Sequence, residues 1–122
     1  SFRAGTSKAI MKVLIDECCP KKLKGQLSLP DVECKTVREI GYAGKKNGEL
    51  ISLIDGIYDV LVTLDGSIKD QHNIKGRRLS ILRIRAKSSD IRSVVPFVPE
   101  IIAALRNIKP GEFREVGRIR PV

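Results

Sequence analysis

Asp16 closes the apolar run Val13-Leu14-Ile15 and is followed by Glu17; Asp65 closes a second run that ends Val62-Thr63-Leu64; Glu49 stands two residues after Asn47, at the start of a helical pattern. In open parallel sheets, ligands gather beyond the carboxyl ends of the strands. If the two runs are neighbouring strands, Asp16 and Asp65 converge on one edge, with Glu49 pointing to it. A hard divalent cation would relieve the mutual repulsion of carboxylates so placed. Oxygen ligands suit Mg²⁺ or Mn²⁺, and such a cation activates water and neutralises a phosphate. Each acid alone has an ordinary explanation: Glu49 suits the positive end of a helix dipole, and Asp65 before Gly66 suits a turn. Their recurrence at equivalent positions makes them a candidate site, with Glu17 beside them.

The elements that must position these acids follow from periodicity. Lys12 to Ile15 reads as a first strand, Lys21 to Leu29 as a short basic helix behind Pro20, and Val32 to Val37 as a second strand. Leu50, Ile51, Ile54 and Ile57 fall at helical spacing behind Asn47 as N-cap. Tyr58 to Leu64 and Leu79 to Ile84 read as the third and fourth strands, with a short irregular helix from Gly66 to Ile74. Val94, Val98, Ile101, Leu105 and Ile108 form an apolar helical stripe that Pro96 and Pro99 divide. Alternating strands and helices predict an α/β fold with a mainly parallel four-stranded sheet. Residues 1 to 10 read as a vector-derived or disordered leader, 11 to 108 as the domain, and 109 to 122 as a basic tail.

The chain has 122 residues, enough for one domain, and no apolar run approaches the roughly 20 residues needed to cross a bilayer. The expectation is a soluble, cytoplasmic protein with no membrane partner, its three cysteines (Cys18, Cys19, Cys34) held as reduced, buried thiols. A zinc set of these with His72 lacks the usual CxxC spacing. A single histidine excludes a histidine-rich metal site, and no glycine pattern of a nucleotide loop occurs. The formal charge is +9, which favours a polyanionic partner, while an aromatic content of 4% with no Trp argues against a stacking platform for bases. Lys21, Lys22, Lys45 and Lys46 flank the proposed edge as candidate RNA contacts. Thr63, Ser67 and Asn73 are candidates to orient water or phosphate.

The stretches Val13-Leu14-Ile15-Asp16-Glu17, Thr36 to Gly44, Asn47-Gly48-Glu49-Leu50 and Asp59 to Asp65, in that order, resemble the motifs of the small PIN-like proteins, a family similar to VapC-type toxins. The likeness continues through Gln71-His72-Asn73 and Val95 to Pro99 and spans Met11 to Ile108. It implies a PIN-like αβα sandwich in which Asp16, Glu49 and Asp65 hold Mg²⁺ or Mn²⁺ and hydrolyse RNA, with Glu17 as a further metal ligand; Asp70 is a candidate to substitute for a carboxylate the chain lacks. It also implies a toxin restrained by a small antitoxin protein encoded nearby. The chain departs from many relatives where Asn47 and Ser67 replace acids. Two alternatives are a receiver-like domain with Asp65 as phospho-acceptor, which Lys87 supports superficially, and a catalytically inactive PIN-like module binding RNA or protein. Docking of an antitoxin, or homodimerisation, is expected around Pro96 to Pro99 and the tail from Lys109 to Arg120.

Overall fold

The computed structural model describes residues 10–70 and 76–118, the side chains of Lys69 and Asp70 excepted. Strands β1 (Met11–Ile15), β2 (Val32–Thr36), β3 (Val60–Thr63), β4 (Ser80–Arg85) and β5 (Phe113–Gly117) alternate with helices α1 (Leu23–Leu27), α2 (Asn47–Ile54), α3 (Ile91–Val94) and α4 (Val98–Asn107). Short 3-10 turns lie at Gly66–Asp70 and Val95–Phe97. All neighbouring strands pair in parallel, in the order β2-β1-β3-β4-β5.

The sheet therefore has five strands where the sequence pattern predicts four. Residues 113–117 contain two large apolar side chains among charged neighbours, so no alternation marks them as a strand. As an edge strand β5 needs apolar contact on one side only, and Val116 is buried against the helices that follow β4. Residues 113–117, within the segment read as a basic tail, thus complete the sheet.

Alternation along each strand divides the core in two. Val13, Ile15, Val60, Val62, Leu82 and Ile84 face α1, α3 and α4, and Leu14, Leu61 and Ile81 face α2. An α/β sandwich results, with the sheet as its middle layer. The stripe Val94, Val98, Ile101 and Leu105 packs into the first half of this core, with Ile108 at its margin. Pro96 and Pro99 do break the helical run: Pro96 occupies the 3-10 turn, and Pro99 lies in the first turn of α4, where its missing N–H removes no helical bond.

Helix α2 begins at Asn47 itself and ends at Ile54, so Asn47 is not its N-cap and Ile57 lies beyond its end. Ile54 is wholly buried, whereas Ile57 is 54% exposed. No helix among the described residues is long and apolar enough to cross a membrane. Since Ile54 fills the core and Ile57 does not, Ile54→Ala should cost about 2–5 kcal/mol and Ile57→Ala less than about 0.5 kcal/mol in urea unfolding. Equal losses would show that Ile57 is packed.

Candidate active site at the carboxyl edge

Strands β1 and β2 run to one side of the sheet and β3 to β5 to the other, so the chain's path switches direction between β1 and β3. In doubly wound sheets this is where the crevice for a ligand opens. Asp16 follows β1, and its backbone N–H continues the ladder by donating to the Val62 carbonyl at 2.9 Å. Asp65 lies two residues beyond β3. The folding of these two ends against one another brings together the pair that the sequence placed at strand termini.

Thr63 connects them. Its hydroxyl donates to Asp16 Oδ2 at 2.8 Å and accepts the backbone N–H of Asp65 at 3.0 Å. Thr63 is fully buried and Asp16 nearly so, and Asp16 Oδ1 also accepts the Glu17 N–H at 2.9 Å. A buried carboxylate with both oxygens hydrogen-bonded is fixed in direction, and it avoids much of the cost of leaving water.

Asp65 is held just as closely. Its Oδ2 accepts the Asn47 side-chain amide at 3.0 Å, while Oδ1 accepts the Ser67 hydroxyl at 2.8 Å and the Ser67 N–H at 2.9 Å. These donors, Asn47 foremost, lower the Asp65 pKa below the usual carboxylate value, and the Arg83 charge adds to the effect. The first helical residue of α2 thus turns its amide toward a carboxylate, a stronger acceptor than a backbone carbonyl.

The other expected members are not drawn into this pair. Glu49 is 58% exposed and faces Lys45 at 3.6 Å. Glu17 turns outward, accepting the Gly44 N–H at 2.9 Å and facing Arg38 at 3.9 Å. The Asp70 side chain, His72 and Asn73 lie outside the described residues. No group of three His, Cys, Asp or Glu side chains among the described residues is arranged to hold a metal. Asp16 and Asp65 still fit one mode of Mg²⁺ binding, in which one or two carboxylates are completed by waters and substrate phosphate.

The lysines sit around this edge. Lys21 lines an open depression of about 620 Å³ with Glu17 and Cys18, and Lys45 and Lys46 line another of about 630 Å³ at the start of α2. Lys22 is exposed beside Lys21.

Sequence reasoning did not place Cys18 or Arg83 here. The Cys18 sulfur accepts the Leu64 N–H at 3.4 Å and lies 3.4 Å from the Thr63 hydroxyl and 3.6 Å from Asp16 Oδ2. Hydrogen bonding to Cys19, and then to Thr63 and Leu64, outweighs burial and brings the Cys18 thiol down to about 7. Cys19 and Cys34 are buried, as expected. The contact with Cys18 pushes the Cys19 pKa well up, and desolvation takes Cys34 to about 11. Adjacency of two cysteines was the one visible signal for Cys18. Compared with protein-family models, curated proteins and solved structures, the chain matches none.

Two outcomes follow from this geometry. Asp65 has a lowered folded pKa, so its contribution to stability is present above the ordinary carboxylate pKa and is lost as pH falls through the folded value. Asn47→Ala should therefore lower stability by about 1 kcal/mol at neutral pH, with the deficit vanishing in acid; a deficit independent of pH would exclude the Asn47 bond as its source. Alkylation should reach Cys18 before Cys19 and Cys34, with a rate that rises through about pH 7 and then levels. Peptide mass spectrometry reads the order directly.

Proposed function

We propose that this chain is a metal-dependent ribonuclease of the PIN-like kind, in which Asp16 and Asp65 hold Mg²⁺ or Mn²⁺ and an RNA phosphodiester is hydrolysed at the carboxyl edge between β1 and β3. The observation that carries this reading is the Thr63 hydroxyl, bonded to the Asp16 carboxylate and to the Asp65 amide at the direction switch of the sheet. Bound there, the cation would supply Lewis acidity and neutralise phosphate charge. Asp16 and Asp65 bring hard oxygen donors in fixed directions, so little reorganisation is needed on binding. Asn47 and Ser67 favour the ionised form of Asp65. Lys21, Lys22, Lys45 and Lys46 contribute long-range attraction for a polyanion. Glu49 and Glu17 act in this reading through Lys45 and Arg38, outside the ligand set. As a VapC-type toxin, the chain would be restrained by a small partner protein encoded beside it.

One observation favours a second reading. With five strands in the order 2-1-3-4-5, Asp65 follows the central strand, where a receiver-like domain accepts a phosphoryl group. Against it, β5 runs into Gly117-Arg118 with no lysine at its end. Lys87 is exposed on the loop after β4.

Mn²⁺ should stabilise the chain, because binding selects the folded state, by about 2.7 kcal/mol at a hundredfold excess over Kd, and its melting temperature should rise accordingly. Asp16→Asn should remove most of that response and Glu49→Gln should leave it intact. In a transcript pool, Asp65→Asn should abolish Mn²⁺-dependent cleavage. Equal metal responses in wild type and Asp16→Asn would rule out the metal site. Phosphorylation of Asp65 by a small phosphodonor, without RNA cleavage, would replace this reading with the receiver.

A further inference from the structure

Arg83 lies in the same row of the sheet as the acids. Thr63 pairs with Arg83 between β3 and β4, Arg83 pairs with Glu115 between β4 and β5, and Asp16 follows directly on the pair Ile15 and Val62. The row therefore reads Asp16, Thr63, Arg83, Glu115 across four adjacent strands. By alternation all four share the face of the sheet that is apolar one step back, at Leu14, Leu61, Ile81 and Phe113.

An arginine on this face is costly unless its donors are used. The Arg83 side chain is only 19% exposed. Its Nη1 donates to Glu115 Oε2 at 2.6 Å, the one hydrogen bond the guanidinium makes among the described residues, and its Nε is buried with no acceptor among them. The group is pressed against Gly66: a Cβ at that position would stand 2.7 Å from Nη2 and 2.9 Å from Cζ. A side chain at 66 would therefore displace the end of Arg83, the one group this approach brings against it. The guanidinium thereby lies beside the Asp65–Ser67 turn without an ion pair to Asp65.

The Arg83–Glu115 pair thus holds a guanidinium next to the turn that carries Asp65. We propose that Arg83 is the oxyanion-binding residue of this edge, giving its remaining Nη hydrogens to a non-bridging phosphate oxygen, with Glu115 holding the guanidinium in place beside Gly66. The planar fork of arginine matches two phosphate oxygens, and fixing it in advance reduces the entropy lost on binding. Glu115 is a positioning residue, acting through Arg83. This assignment rests on the phosphodiester reading and names the group that receives the phosphate.

The test titrates inorganic phosphate into the full chain with Mg²⁺ present, following arginine Nε–Hε signals by NMR; the Arg83 signal is the one missing from Arg83→Lys. Phosphate should shift that signal in the wild type. Gly66→Ala, which keeps both Arg83 and Glu115 but displaces the guanidinium, should weaken phosphate about tenfold, as should Arg83→Lys, while the Mg²⁺ thermal response persists. A wild-type Arg83 signal that phosphate does not move overturns the proposal, and so does undiminished phosphate affinity in both variants. Failure of the nuclease reading looks different: phosphate moves the Arg83 signal, yet no transcript is cut with Mn²⁺, which leaves the oxyanion assignment standing and removes the ribonuclease.

Discussion

The parallel pairing of β1 with β3 is the constraint on which the rest of this edge depends. Register places Ile15 beside Val62, so the next residues, Asp16 and Thr63, must emerge side by side. The buried hydroxyl of Thr63 then serves both acids, donating to one carboxylate and accepting the amide that carries the other. A valine in its place would fill similar space and leave Asp16 Oδ2 without that donor. The adjoining apolar rows, closed by α2 on one face and by α1, α3 and α4 on the other, make this pairing rigid, because a slip of one residue would turn Leu14 and Leu61 to the wrong layer.

Around that constraint the polar groups divide by chemistry. Asn47 and Ser67 supply donors to Asp65. An ionised acid could give no such bond, and its charge would repel Asp65. Both strand-end carboxylates, Asp16 and Asp65, are thus held in fixed directions by donors from neighbouring elements. Glu49 and Glu17 find basic partners at the surface, where solvent makes exposed pairs weak and readily exchanged.

Arg83 and Glu115 extend the polar row to the far edge of the sheet. Their presence explains why β5 is a strand despite its poor apolar pattern: Val116 anchors one face, and the Arg83 pair secures the other. Glu115 of the last strand thus pairs with a guanidinium that lies against Gly66 and adds, after Asn47 and Ser67, to the lowering of the Asp65 pKa.

Much of this architecture is readable from local pattern. The first four strands, the stripe of α4, the proline break before it and the two strand-end aspartates are all encoded in runs of neighbouring residues, since alternation and helical spacing act over a few positions. Local pattern fails where a partner is distant in sequence. Spacing alone also misleads nearby: Glu49 has the spacing of a site residue but stays exposed beside Lys45, and Ile57 continues a stripe that the helix has already left. Arg83 reads as one charge in an apolar strand until the pairing with β3 and β5 sets it in line with Thr63 and Glu115. By itself the sequence determined the order of elements and the two aspartates at strand ends. Only the tertiary structure decided which side chains share the edge, because strand order and register come from long-range packing of both faces of the sheet, which no short window of residues contains.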